Sequence, residues 1–82
     1  MFMLFDSLDK SPLKGKYTSL DEARKTAMKR KRPVTYVCII QTDGSAEAVG
    51  SVINDDSHGY PIYSAGGYEY LLNQNGSLGK VL

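Results

Sequence analysis

The chain has 82 residues, of which 41% are hydrophobic and 23% charged, and its formal net charge is +1 at pH 7. This composition supports one modest hydrophobic core and excludes a chain kept disordered by charge repulsion. One cysteine excludes an internal disulfide, and together with one histidine it leaves too few ligands for a Cys/His zinc site. We therefore expect a single small domain over residues 1–82 with no metal and no cofactor.

The apolar run at residues 1–5 has no preceding basic region and is far shorter than a signal-peptide core or a membrane span. We therefore expect a cytoplasmic protein that does not enter a membrane. Charge is unevenly distributed, because residues 1–41 hold nine Lys/Arg and four Asp/Glu, whereas residues 42–82 hold one Lys and five Asp/Glu. Such asymmetry accompanies either an interaction surface or two halves that neutralise each other when they pack together.

Residues 1–13 place apolar and acidic side chains in turn and contain Pro12 near the end. This pattern fits a short strand and a docked arm equally well, and we favour the strand. The apolar members are Phe2, Leu4, Phe5 and Leu8.

The clearest local signal is a capping box, in which Ser19 accepts from the backbone N–H of Glu22 and Glu22 reaches back to Ser19. It predicts a helix over residues 20–31. Basic residues at the end of this segment suit the negative end of the helix dipole, and Pro33 prevents continuation. One face of the helix is narrow and able to approach a sheet closely, and it carries Leu20, Ala23 and Ala27.

Residues 34–41 are rich in β-branched and aromatic residues and predict a central strand. Asp43-Gly44 suits a two-residue type I′ turn, after which residues 46–54 return as the partner strand. Pairing of Thr42 with Ser45 would place small residues toward the helix, namely Ala46, Ala48 and Gly50. The other face of the hairpin would then carry Tyr36, Cys38, Ile40, Val49 and Ile53.

Residues 60–64, 68–73 and 77–82 predict further short strands, with turns at residues 65–67 and at Asn75-Gly76. The predicted fold class is therefore α+β, with one helix packed on a mainly antiparallel meander sheet of about five strands. One helix covers only part of such a sheet, so the far face needs the N-terminal arm or another chain as its cover.

Four tyrosines occur between residues 60 and 70, where they serve either sheet packing or recognition of a partner. We predict a partner-binding surface on this half of the chain and on the far face of the hairpin. Its residues are Tyr36, Ile40, Tyr60, Tyr63, Tyr68 and Tyr70.

A basic cluster at the end of the helix predicts an alternative, a nucleic-acid-binding surface made by Lys25, Lys29, Arg30 and Arg32. Cations also stabilise helix C-termini without any ligand, so a purely structural role is open too.

Neither of the usual nucleophile and base candidates lies in a catalytic motif. Cys38 lies within the most apolar strand, which predicts an unreactive core thiol, and His58 lies in a polar loop. We therefore expect no enzyme activity. The sequence predicts a non-catalytic module that acts on a protein partner or by self-association as a homo-oligomer, with nucleic-acid binding as the alternative.

Overall fold

The computed structural model describes residues 1–30, 34–55 and 59–82, which form one helix and seven strands. The sheet is antiparallel throughout, with the strand order β2-β1-β3-β4-β5-β6-β7. The predicted α+β fold is confirmed, with seven strands instead of about five. The elements are β1 (Phe2–Asp6), β2 (Ser11–Pro12), α1 (Leu20–Met28), β3 (Val34–Gln41), β4 (Glu47–Asp55), β5 (Ile62–Ala65), β6 (Tyr68–Leu72) and β7 (Leu78–Val81).

Helix α1 begins where the capping box predicts. Ser19 is extended, and its hydroxyl accepts a hydrogen bond of 3.2 Å from the backbone N–H of Glu22. The helix ends at Met28, earlier than predicted, because the N–H groups of Lys29 and Arg30 bond three residues back and tighten the last turn. Lys31, Arg32 and Pro33 lie outside the described residues.

The small face of α1 packs on the sheet, as predicted. Ala23 and Ala27 are both 0% exposed, whereas Leu20 is half-buried at the edge of the core. The absence of long side chains at these two positions lets the helix backbone lie close enough for the Asn54 amide to donate to the Ala27 carbonyl at 3.2 Å. The core around them is formed by Leu4, Val37, Ile39, Val52, Tyr63 and Leu72.

The N-terminal segment is a strand and not an arm laid over the sheet. β1 pairs with β3, with Leu4 opposite Ile39 and Phe5 opposite Cys38. Leu4 is buried under the helix, whereas Met3 and Phe5 point to the other side. The N-terminal segment therefore widens the far face of the sheet without covering it.

The β3–β4 connection is longer than the predicted two-residue turn, since pairing stops at Gln41 and Glu47. The side-chain oxygen of Gln41 accepts from the N–H groups of Thr42 and Asp43, and Thr42 N–H also donates to Met1. These contacts use the amide that pairing with Ser45 would need. The predicted register is therefore wrong along the hairpin, since it would place Ile39 opposite Ala48, whereas Ile39 lies opposite Gly50.

A bulge at Val49 separates two registers of the hairpin, because Ile39 lies opposite Gly50 while Ile40 lies opposite Ala48. The extra residue turns Ala48 to the far face and lets Val49 pack against the core, which reverses the predicted side for both. A bulge depends on the partner strand and has no signature in the strand's own alternation.

The side chain of Tyr63, and not the helix, fills the space that Gly50 leaves open. A Cβ atom at Gly50 would overlap the Tyr63 ring, whose hydroxyl donates to the Val49 carbonyl at 3.4 Å. Gly66 and Gly67 both have positive φ between paired Ala65 and Tyr68, as a type I′ turn requires. The predicted turn at residues 65–67 is confirmed.

Helix α1 contacts three neighbouring strands, β1, β3 and β4. The turn between β6 and β7 also touches the helix, because Arg24 donates to the Gly76 carbonyl at 2.7 Å. The helix therefore packs on one side of the sheet only.

Candidate interaction surfaces

The side of the sheet that faces away from α1 carries a largely apolar surface. Two of its cross-strand rows run from Tyr36 through Ile53 to Leu71, and from Met3 through Ile40 to Ala48. No helix or strand among residues 1–30, 34–55 and 59–82 lies over these rows. We call this surface the open face, and it consists of Met3, Phe5, Tyr36, Cys38, Ile40, Ala48, Ile53, Ile62 and Leu71.

Burial varies across the open face. Tyr36 is 38% exposed and Ala48 is exposed, whereas Ile62 is buried between its cross-strand neighbours Ile53 and Leu71. A polar row crosses the same surface, formed by Ser51, Ser64 and Glu69 opposite one another on β4, β5 and β6. The surface thus combines apolar area with a few groups able to make directional hydrogen bonds.

The structure divides the six predicted partner-binding residues among different places. Tyr36 and Ile40 lie on the open face. Tyr63 and Tyr70 lie opposite each other on the helix side, where Tyr63 is 3% exposed and Tyr70 packs against the core. The ring of Tyr63 therefore cannot be part of an exposed partner-binding surface.

The remaining two tyrosines are exposed, and Tyr68 is separate from the open face. Tyr68 shares the helix side of β6 with Tyr70 and is 62% exposed, and Tyr60 precedes β5 and is 45% exposed. Strand alternation explains this division. Tyr68 and Tyr70 are two residues apart on β6 and point to the same side of the sheet, whereas Tyr36 on β3 points to the other side. The tyrosine-rich segment is therefore not one surface.

Cys38 is not a core residue, in contrast to the prediction. It lies half-buried on the open face, between Phe5 of β1 and Ser51 of β4. The strand is apolar on both faces, so its composition alone does not distinguish the core side from the open one. His58 lies outside the described residues.

The basic cluster at the end of α1 is divided as well. Arg30 donates to the buried carboxylate of Asp6 at 2.6 Å, so this guanidinium is engaged inside the protein. The pKa of Asp6 is lowered by the backbone N–H of Asp9, then by that of Leu8 and by Arg30, against the desolvation that raises it. Arg32 lies outside the described residues, which leaves Lys25 and Lys29 of the predicted set.

Arg24 is a structural residue that sequence reasoning did not identify. Although charged, it is only 6% exposed, with its guanidinium bonded to Asp21 and Gly76 and lying 4.9 Å from the Tyr63 ring centroid. Burial raises the pKa of Tyr63, against the lowering effect of Arg24. The sequence gives one signal that Arg24 is buried. The residue directly follows Ala23, so it lies at the edge of the helix's buried face.

Lys25 and Lys29 line a shallow cleft of about 250 Å³ beside α1, together with Tyr17, Glu22 and Thr26. We call it the lysine cleft. Two backbone hydrogen bonds with Phe2, of 2.7 and 2.9 Å, fix Tyr17 next to β1. The cleft therefore joins two exposed lysines to a tyrosine whose backbone is bonded to the sheet, an arrangement that the sequence did not predict.

The described residues contain no group of three or more His, Cys, Asp or Glu side chains placed to hold a metal ion. Within the same ranges, no helix has both the length and the apolar character needed to cross a bilayer. Comparison with protein-family models, with curated proteins and with solved structures found no match to this chain.

Proposed function

We propose that the protein is a small, non-catalytic interaction module of the cytoplasm whose open face docks on an apolar surface of another protein, a second copy of this chain included. One observation carries the proposal: α1 covers one side of the sheet, and no described element covers the apolar other side. Docking would remove this surface from water, which is the main source of free energy in protein association.

The chemistry of the open face supports a protein partner. Tyr36 offers an exposed aromatic ring with few torsions to immobilise, and Ile40 and Ile53 supply aliphatic area around it. Glu69 is the one charged side chain of the rows named above, so these rows carry no cation that would bind a polyanion. The polar row at Ser51 and Ser64 would orient the partner.

Site-specific photocrosslinking tests this proposal. A photoreactive phenylalanine analogue would replace Tyr36, and the matched control would carry it at Leu8, which is apolar and 50% exposed in the β1–β2 connection. We expect discrete crosslinked products from position 36 and not from position 8, with Ile40→Lys suppressing them. The mass of each product shows whether the partner is this chain or another protein.

The proposal is contradicted if positions 36 and 8 crosslink equally in the cells that express the protein, or if position 36 yields no product. Circular dichroism and thermal unfolding of each variant provide the control for folding. Ile40→Val, which keeps the surface apolar, should leave the crosslinks unchanged.

A further inference from the structure

We propose that the lysine cleft binds single-stranded nucleic acid, with Lys25 and Lys29 on phosphate groups and the ring of Tyr17 stacked on a base. This site is separate from the open face, because α1 lies on the opposite side of the sheet. The inference rests on four features of the cleft, which concern its charge, its ring, its polarity along the helix and its size.

The first feature is a pair of cations without carboxylate partners. Lys25 and Lys29 are four residues apart and so project from the same side of α1, and both are exposed. Within the described ranges neither ammonium lies within ion-pair distance of a carboxylate. Like charges at this spacing weaken an isolated helix, and a bound phosphate would reverse that effect.

The second feature is an aromatic ring that already packs against the protein. Tyr17 is half-buried against the core, and its backbone is bonded twice to Phe2. A fixed ring loses little conformational freedom on binding, which favours stacking on a base. Lys14 and Lys16, which are exposed, precede Tyr17 in the chain and add positive charge.

The third feature is a change in the sign of the charge along the cleft, from Glu22 at one end to Lys29 at the other. Glu22 and Lys29 line the same cleft but are seven residues apart, which is roughly 10 Å along the helix axis. The carboxylate would repel a phosphate at its own end, so the strand's phosphates would lie toward Lys29. Thr26 lies between these two residues and adds a hydroxyl group.

The fourth feature is size. A cleft of about 250 Å³ has room for part of one nucleotide, and a single ring stacks on a base only when that base is not already stacked in a duplex. A single strand is therefore favoured over a double helix. Of the predicted cluster, Arg30 takes no part, because it is bonded to Asp6.

Fluorescence polarisation with a labelled oligothymidylate, at low and at physiological salt, tests the proposal on the full chain. Two phosphate contacts predict a contribution of about −1.4 to the log–log salt slope. Lys25→Gln with Lys29→Gln should remove that contribution and weaken binding by about tenfold at low salt. Tyr17→Leu should weaken it by a similar factor, whereas Tyr17→Phe should retain affinity.

The matched control removes two lysines elsewhere, Lys10→Asn and Lys80→Gln, at exposed positions on the β1–β2 connection and on β7. An equal loss of affinity in this control would overturn the proposal, since it would show that net charge alone governs binding. Equal affinity for a duplex of the same length, or no binding by the unmodified chain, would overturn it as well. Thermal unfolding verifies that each variant is folded.

Discussion

The carboxylate of Asp6 in β1 accepts a hydrogen bond from Arg30 across 2.6 Å, and this contact joins the end of α1 to the sheet. Asp6 is 0% exposed and also accepts from the N–H groups of Leu8 and Asp9, at 2.9 and 3.0 Å. One buried carboxylate thus organises both the turn after β1 and the residue that follows the helix.

Acid should destabilise the protein through Asp6. Because its pKa is lower in the folded chain than its unfolded value of about 3.9, the ionised group stabilises the fold above about pH 4. That contribution is lost as the pH falls through the folded pKa. Urea unfolding at neutral and acidic pH should show this loss in the unmodified protein and a smaller loss in Asp6→Asn.

Asp6→Ala should lower the free energy of unfolding at pH 7 by about 2–4 kcal/mol, because it leaves two N–H groups and a partly buried guanidinium without their acceptor. Asp43→Ala, on an exposed loop, should change stability far less. Equal losses from the two substitutions would contradict a special role for Asp6.

Ala27→Leu should destabilise the fold by about 1–3 kcal/mol, because the position is completely buried and the extra methyl groups would push the helix from the sheet. Denaturant unfolding measures this change. Lys29→Leu introduces the same side chain at an exposed position of the same helix end and should alter stability by about 0.5 kcal/mol or less. A gain in stability from Ala27→Leu would show that the close contact is not needed.

Gly76→Ala should cost more than Gly44→Ala, although both glycines have similar positive φ values of 89° and 82°. A Cβ atom at Gly76 would overlap the backbone carbonyl of Asp21, whereas one at Gly44 would meet open space. Backbone strain of about 1 kcal/mol is common to both, and the overlap adds to it only at Gly76. Chemical denaturation of the two variants side by side should reveal this difference.

The contact of Arg24 with Tyr63 should appear as a coupling energy in a double-mutant cycle. Arg24→Lys should destabilise by about 1–2 kcal/mol, because lysine cannot reproduce the bonds to Asp21 and Gly76 together with stacking on the ring. With Tyr63→Leu as the second arm, the interaction energy should be about 0.5–2 kcal/mol. Additive losses would mean that the ring and the guanidinium act independently.

Local signals accounted for a large part of the fold. The start of α1 at Leu20, its buried Ala23 and Ala27, and the turn at Gly66-Gly67 each depend on residues a few positions apart. Capping, helical periodicity and the φ values that glycine allows depend on residues close together in the chain, so their effects can be predicted from the sequence. The hydrophobic pattern also indicated an antiparallel sheet with one apolar face uncovered, on which Tyr36 and Ile40 lie as predicted.

The tertiary structure decided which of several similar residues faces which neighbour. Four tyrosines between residues 60 and 70 have the same chemistry, yet Tyr63 fills the space above Gly50 while Tyr68 is exposed. Likewise, Arg30 is bonded to Asp6 while Lys29, its neighbour in the chain, lines a cleft with Tyr17. These outcomes depend on the Val49 bulge and on contacts between segments distant in sequence, because a side chain's environment is set by what packs against it in the folded chain.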